Sequence, residues 1–430
     1  MRAPALLTVF SLAMTGTGLR AQDPTPATEP QAADAPDREA PGREWLGGDP
    51  WWNWSRATGD WGGHRTWLEE RGVEVGGGLT VDWAGAWSGG MRQRDSVDTL
   101  LDVNVALDLE ALLGVPETLV FFDAYQVEGR DPSGDIGDFQ GVSNIQADDV
   151  RELAEAWIET RLGDQLRLKF GKVDFNSEFA FSEEAGEFVH PSPGISPAIQ
   201  AAPTFPDPST AAIAFWEPDG RSYLGVGVFD GAGADGIRTG RHGLGGFFDD
   251  DDSKAYFTVA EAGTSWVGGG SWGSGRVAVG GFHHSARFDR FDGGSDRGTS
   301  GFYAILDQRL WREDPADPDS MQGVGMFTSL GWADHDVAEA AMHVQLGATW
   351  TGAIEGRDDD VLGLVVTHVD LSDATGSPFT ADETAIELMY RLQVTPAIAL
   401  KPDLQFIVHP GGDETADDAL VGLLRVEITF

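Results

Sequence analysis

The stretch Leu101-Asp-Val-Asn-Val-Ala-Leu-Asp-Leu-Glu110 decides the fold. Its apolar residues recur at every second position, and acidic or amide residues fill most of the positions between them. A period of two belongs to a β-strand, in which successive side chains point to opposite faces. The stretch therefore predicts a strand with one apolar and one polar face.

The same alternation recurs in segments of about ten residues from position 73 to the end of the chain. The predicted strands lie near 73–87, 98–110, 118–127, 150–162, 165–174, 210–217, 222–230, 254–267, 275–286, 299–312, 322–332, 339–351, 361–370, 382–394, 398–408 and 420–430. No apolar run is long enough for a transmembrane helix, which needs about 18 residues. We therefore predict an all-β fold, a transmembrane antiparallel β-barrel of about 16 strands, the size at which a barrel encloses an aqueous channel.

Two further patterns favour a membrane barrel. Connections after even-numbered strands tend to be short, and those after odd-numbered strands include the longest, near 128–149, 175–209 and 231–253. The apolar faces of the best strands carry no charge, whereas a charge on the lipid face costs roughly 2–4 kcal/mol at the bilayer midplane. Periodicity alone leaves open a secreted β-sandwich that binds glycans without forming a pore.

The N-terminal 72 residues divide into three predicted segments. Residues 1–21 have the charged start, short apolar run and small-residue end of a signal peptide. Residues 22–44 are rich in Pro, Ala and Asp and predict a disordered tether. Residues 45–72 are rich in Trp, with a helix-compatible stretch at 66–71, and predict a short periplasmic helical segment before the barrel of residues 73–430.

Composition limits the classes of function. The chain has 430 residues, no Cys, and 70 Asp and Glu against 29 Lys and Arg, so its formal net charge is −41. Such acidity disfavours binding to nucleic acid phosphates, and the lack of Cys rules out thiolate metal sites and thiol nucleophiles.

Five groups of residues, in order along the chain, resemble the carbohydrate-selective porin family of Gram-negative outer membranes. They are Thr58-Gly-Asp-Trp-Gly-Gly63 with Arg65, Leu68, Arg71 and Gly72; Ser88-Gly-Gly90 with Arg92; Val142-Ser-Asn-Ile-Gln-Ala147; Gly171-Lys172 with Asp174, Glu178 and Phe179; and Leu400-Lys-Pro-Asp-Leu-Gln-Phe-Ile-Val-His-Pro-Gly-Gly412 with the terminal Thr429-Phe430. The resemblance covers the chain from about residue 54 onward. It implies passive uptake of small sugars through a channel that inward-folded loops narrow.

The resemblance also implies a setting and partners. We expect the outer membrane, with both termini periplasmic, contact with outer-membrane lipid and lipopolysaccharide, and recognition of the aromatic Phe430 by the barrel-assembly machinery. The sequence leaves the choice between a monomer and a homotrimer open. It also leaves open a cation-preferring general porin, or a porin for another nutrient.

Charged and aromatic residues on two neighbouring predicted strands form the candidate pore-lining patch. Guanidinium groups donate to hydroxyls, and aromatic faces suit the C–H side of a sugar ring. The predicted residues are Arg92, Arg94, Arg151, Glu155, Trp157, Glu159, Arg161, Arg167 and Lys169. The alternative is a set of charge ladders that only stiffen the wall.

The predicted loop at 175–209 contains six prolines, which restrict its backbone and reduce the entropy lost when it is ordered. We expect it either to narrow the pore, lined by Phe181, Phe188, His190 and Phe205, or to cap the barrel rim from outside.

No cofactor, metal site or catalytic group is predicted. The aspartate clusters at 249–252, 314–319 and 358–360 lack the ligand spacing of an EF-hand. His283 and His284 are adjacent on a predicted strand and so point to opposite faces, which argues against a two-His site. The chain also lacks a phosphate-binding loop and a His-Glu-x-x-His motif.

Overall fold

The structure is a computed structural model that describes residues 50–147, 149–237, 254–316 and 321–430. The predicted signal peptide, the tether and the first part of the Trp-rich segment lie outside the described residues, as do residues 249–252 and part of 314–319.

Alternating apolar and polar residues form sixteen strands in the described part of the chain. The strands are β1 (Val73–Ser88), β2 (Asp95–Asp108), β3 (Thr118–Gly129), β4 (Val150–Leu162), β5 (Leu166–Val173), β6 (Ser209–Trp216), β7 (Ser222–Asp230), β8 (Tyr256–Trp266), β9 (Gly275–Asp289), β10 (Ser295–Arg312), β11 (Gly323–Ala333), β12 (Ala340–Thr351), β13 (Val361–Leu371), β14 (Glu383–Thr395), β15 (Ile398–Val408) and β16 (Ala419–Thr429). Each strand pairs with its neighbours along the chain, and β1 pairs antiparallel with β16 to close a barrel. The prediction of an all-β antiparallel barrel of about 16 strands is confirmed.

Short helices lie in the connections and near the N-terminus. They are α1 (His64–Glu69), α2 (Leu109–Leu113), α3 (Ser133–Ile136) and α4 (Pro191–Gly194). Helix α1 falls within the predicted helical segment and ends shortly before Gly72, which has a positive φ of 82°. No helix in the described ranges is long and apolar enough to cross a membrane.

The two faces of the wall differ sharply in chemistry. On β13, Leu362, Leu364 and Val366 point outward and are exposed, whereas Val365 and Val369 point inward and are buried. Charged side chains follow the inward parity at other strands, for example Asp82 on β1 and its partner in register, Arg425 on β16. An apolar outer face and a charged inner face are the pattern of a barrel that lies in lipid.

The two rims of the barrel also differ. The turn end carries the connections after even-numbered strands, such as 163–165 and 396–397, together with the C-terminus. The loop end carries the connections after odd-numbered strands. Two of these connections are long and are described almost completely: 130–149 and 174–208. These two ranges are called the first and the second inner loop below.

Both inner loops lie inside the barrel. In the first inner loop, the backbone N–H groups of Phe139 and Gln140 donate to Glu383 of β14, at 2.7 and 2.9 Å. In the second inner loop, Phe175 and Phe179 are fully buried among inward side chains of the wall. The second inner loop therefore narrows the lumen and does not cap the rim from outside.

Strand β4 contains an irregularity that positions the candidate site. Asp123 of β3 pairs with Glu155, whereas Ala124 pairs with Leu153, so Ala154 is an extra residue in β4. An extra residue in one strand is a β-bulge, and it shifts the side-chain alternation by one position. Residues on the two sides of Ala154 consequently follow opposite parities.

Candidate functional site

The structure brings together six of the nine predicted pore-lining residues. Beyond the bulge, β4 points its odd-numbered residues inward, and β5 does the same across the hairpin. The six residues are Glu155, Trp157, Glu159, Arg161, Arg167 and Lys169. They lie on the inner wall, from the turn at residues 163–165 toward the loop end.

Ion pairs with the second inner loop dominate this patch. Arg167 Nη1 lies 2.8 Å from carboxylate oxygens of both Glu159 and Glu178, and Glu178 belongs to the loop. Lys169 Nζ also contacts Glu178, and it lies 3.2 Å from Glu159. Burial alone would raise the pKa of the Glu178 carboxyl, but Arg167 and Lys169 outweigh it and lower that pKa to about 2. The loop glutamate is therefore charged at neutral pH and fastens the loop to the wall.

Aromatic rings lie beside these cations. The Nζ of Lys169 is 3.7 Å from the ring centroid of Trp157, and the guanidinium of Arg167 is 4.3 Å from that of Phe215. Cations over ring faces are attracted by the quadrupole of the ring. Arg161 is paired with Glu217, at 2.8 Å. The patch thus combines oriented donors with apolar faces.

Three of the predicted residues do not belong to this patch, and their assignment is corrected here. The Ala154 bulge turns Arg151 to the outer side of the wall, where its side chain is 71% exposed and pairs with Glu128. Arg92 and Arg94 follow β1 at the loop end, at the opposite rim from the patch. Both are exposed, and Arg92 faces Asp135 of the first inner loop at 3.7 Å.

A second cationic cluster surrounds Arg276 of β9. Its guanidinium lies 4.4 Å from the ring centroid of Phe181, a residue of the second inner loop, and donates to the Phe181 carbonyl oxygen at 2.9 Å. It also donates to the hydroxyl of Tyr223 at 2.8 Å and lies 3.4 Å from Glu261. Arginine, loop aromatic and wall carboxylate therefore recur together away from β4 and β5.

Further glutamates of the second inner loop pair with bases around the wall. Glu184 lies 3.0 Å from Arg309, and Glu187 lies 3.1 Å from Lys401 and 3.5 Å from Arg391. Inward basic residues thus recur around the lumen in the half of the barrel nearer the turn end. We call this set the basic belt; it comprises Arg161, Arg167, Lys169, Arg276, Arg309, Arg391, Lys401 and Arg425.

Wall carboxylates hold the backbone of the second inner loop. Glu261 accepts from the N–H of Ala180 at 2.9 Å, and Glu387 accepts from the N–H groups of Val189 and His190 at 2.7 and 3.2 Å. Hydrogen bonds to a charged acceptor are about twice as strong as neutral ones. Inward acidic residues therefore have a structural role as hydrogen-bond acceptors for backbone N–H groups of the loop.

The four residues expected to line the second inner loop divide into two pairs. Phe181 and Phe205 are half-buried, against Arg276 and Tyr125 respectively. Phe188 and His190 are buried, so they anchor the loop instead of lining it. Burial lowers the pKa of His190 to about 3, which keeps its imidazole neutral.

Sequence reasoning missed Arg276 and the loop glutamates. Arg276 shares its strand parity with the buried Phe282 and His284, so the alternation of β9 carried a signal for it. The expected opposite orientation of His283 and His284 is confirmed, since His283 is exposed and His284 is fully buried. Glu178 belongs to one of the groups that resemble the porin family, but no local pattern gives its role or marks Glu184 and Glu187, because only the inward fold of the loop gives these glutamates their partners.

The belt offers hydrogen-bond donors in a polar lumen. Among the described residues, the buried Nε atoms of Arg167 and Arg391 form ion pairs with Glu217 and Glu187, at 3.6 and 3.5 Å, but no hydrogen bond. A guanidinium presents five N–H donors in a fixed plane, which suits neighbouring hydroxyls of a solute. The arrangement can therefore bind and orient small polyhydroxylated molecules weakly without any chemical step.

Comparisons with known proteins agree with this geometry. The model of the carbohydrate-selective porin, OprB family, matches residues 92–430. Porin B of Pseudomonas aeruginosa is 24% identical over 462 aligned residues, which cover 93% of this chain and 94% of that protein.

Solved structures share the barrel. The high-pH structure of Pseudomonas putida OprB is 21% identical, has a TM-score of 0.77, and covers 88% of this chain and 99% of its own. The low-pH structure of the same protein is 18% identical and has a TM-score of 0.60 over the same shares. These likenesses concern the fold.

Proposed function

The chain belongs to the carbohydrate-selective porin family, and we propose that its barrel lets small sugars diffuse passively across the outer membrane, with selection at the basic belt. The observation that carries this proposal is the contact between Glu178 of the second inner loop and Arg167 and Lys169 of the wall. It brings loop, donors and aromatic faces to one level of the lumen, where a sugar must pass them.

Selection at the belt would act through weak, replaceable hydrogen bonds. A bound sugar can donate to the carboxylates and accept from the guanidinium groups, while Trp157 and Phe215 provide apolar faces. The belt cations already have carboxylate partners, which limits how tightly a neutral solute binds. Conduction requires such weak binding, since a solute that enters must also leave.

We assign the turn end to the periplasm. Short turns at the periplasmic side and longer external loops are the rule in outer-membrane barrels. This orientation puts both termini in the periplasm, where the aromatic Phe430 would be available to the barrel-assembly machinery. The outer face would then contact lipid and, at the loop end, lipopolysaccharide, in a monomer or a homotrimer.

Liposome swelling with the purified full-length protein tests the proposal. We expect neutral mono- and disaccharides to enter faster than amino acids or organic acids of equal size. Equal rates for all solutes of one size would contradict sugar selection and favour a general porin. The absence of both swelling and single-channel conductance would contradict pore formation altogether.

A further inference from the structure

A group of metal-ligating side chains lies on the outside of the barrel, away from the lumen. His368 and Asp370 of β13 meet Asp382, which precedes β14, and their candidate ligand atoms all lie within 4.8 Å of one another. This is the one such group in the ranges that the structure describes. It contains an imidazole as well as two carboxylates.

Strand geometry brings the three together. His368 and Asp370 are two positions apart and share the outward face of β13, because Thr367 and Val369 point inward and are buried. Asp382 Oδ1 accepts from the N–H of Leu371 at 3.0 Å, which holds this carboxylate beside the end of β13. The positions are thus fixed by the hairpin and not by chance contact between mobile loops.

The imidazole is oriented on its other side. Nδ1 of His368 lies 2.7 Å from the hydroxyl of Thr384, its partner in register on β14, and Nε2 lies 2.8 Å from Asp370. Metal-binding histidines commonly bond their second ring nitrogen in this way, which fixes the tautomer and the ring plane. A hydrogen bond between His368 and a carboxylate requires Asp370 alone. The structure places a second carboxylate, that of Asp382, beside the same imidazole.

The site is accessible from outside. The side chains of His368 and Asp370 are 42% and 35% exposed, and Asp382 is exposed. They lie nearer the loop end than the outward Leu364 and Val366, so they follow the apolar band of the same strand. The exposed sides of the three side chains leave space for an open coordination position on a bound ion.

We propose that His368, Asp370 and Asp382 bind a zinc ion at the loop end of the outer wall. Zinc accepts one imidazole nitrogen and carboxylate oxygens, and three protein ligands with a fourth open position is a common arrangement for it. Thr384 is a positioning residue that acts through the ring of His368. The proposal is independent of the solute that passes through the lumen.

Zinc titration of the full-length barrel in detergent, with any affinity tag removed, tests the proposal. Competition with a chromophoric chelator in 0.15 M KCl reports the affinity, and the salt screens the general negative charge of the protein. We expect one tight Zn²⁺ per chain. Asp370→Asn and His368→Gln should each weaken it at least tenfold, and Thr384→Val by about ten- to a hundredfold.

His283 provides the matched control. It also lies on the outer face, with Nδ1 2.9 Å from the hydroxyl of Ser300, but it belongs to no such carboxylate group in the described residues. His283→Gln should therefore leave zinc affinity unchanged. Cobalt substitution adds a spectroscopic readout, since a visible band should appear in the wild type and disappear in His368→Gln.

Two results would overturn the proposal. One is the lack of a stoichiometric tight site in the wild type. The other is an affinity that falls equally in His283→Gln and in the site variants. Asp382→Asn serves as a further ligand variant should Asp370→Asn fail to give the heat-modifiable folded form.

Discussion

The two ends of β4 show what distinguishes the sides of the wall. At one end, Glu159 points into the lumen and is paired with Arg167 and Lys169. At the other end, Arg151 points outward, and its pair with Glu128 is largely exposed. Between them lies the extra residue Ala154, which shifts the side-chain alternation of β4, so that odd-numbered residues point inward on one side of it and outward on the other. The comparison teaches that a charge gains its role here from the face on which it lies, not from its residue type.

The largest expected effect concerns adjacent residues on opposite sides of the wall. Glu152 points inward and lies 3.0 Å from Lys172, and both side chains are almost completely buried. Glu152→Ala leaves a buried cation without this partner, which costs about 3–5 kcal/mol. Arg151→Ala removes an exposed pair, which is worth about 0–1 kcal/mol. Urea unfolding of the two variants in detergent micelles measures the difference.

A double variant sharpens this comparison. Replacing a buried ion pair by apolar residues of similar volume is often neutral or stabilising, so Glu152→Leu combined with Lys172→Met should recover most of the stability lost in Glu152→Ala. Equal losses in Arg151→Ala and Glu152→Ala would mean that the bulge does not separate the two faces.

The next effect is on sugar binding. If Arg161 or Arg167 touches the solute, truncation to Ala loses a hydrogen bond to a charged group, worth about 1.5–3 kcal/mol. The dissociation constant for sugar block of ion current should rise about tenfold or more. Arg151→Ala, on the outer side, should leave it unchanged. Higher ion conductance with unchanged sugar affinity in both inner variants would remove this patch from the selectivity site.

The smallest expected effect is on pH dependence. The pKa of Glu178 is lowered to about 2 in the folded protein, so its contribution to loop attachment is fully present above its ordinary pKa of 4.5 and is lost as pH falls toward 2. We expect steady single-channel conductance from pH 7 to about 5. In stronger acid the conductance should rise, because protonation of Glu178 weakens the attachment of the second inner loop, which narrows the lumen. Glu178→Gln should show no such acid step from this group. An unaltered step in that variant would assign the transition to another carboxyl.

The strands were predictable because their signal is local. Alternation along a single strand identified all sixteen, including β16, on which Leu420, Leu424, Val426 and Ile428 share the outward face. The Ala154 bulge left no such signal, because one extra residue is visible only when β4 is aligned with β3. Arg151 was therefore placed on the wrong face.

The candidate site was predictable only on the wall. Arg167 and Lys169 follow directly from strand parity, and so do Arg309 and Lys401 once the whole lumen is considered. Their loop partners depend on where the second inner loop docks, and docking is a matter of distant contacts such as Glu387 with the backbone of Val189. The proposed zinc ligands were not predicted for a related reason, since Asp382 comes beside His368 only through the pairing of β13 with β14.

The seam between β1 and β16 has a consequence for the folding of each molecule. Asp82 and Arg425 are separated by 343 positions, yet they form a fully buried bidentate pair, and Asn144 of the first inner loop completes it at 2.8 Å. Contacts between such distant positions close the largest loop of the chain and are slow to form. Residues 419–429 must be synthesised before the seam can exist. Until then the sheet is open, and the edge strands β1 and β16 present unpaired backbone N–H and C=O groups. Each chain therefore needs protection from edge-to-edge association on its way to the membrane.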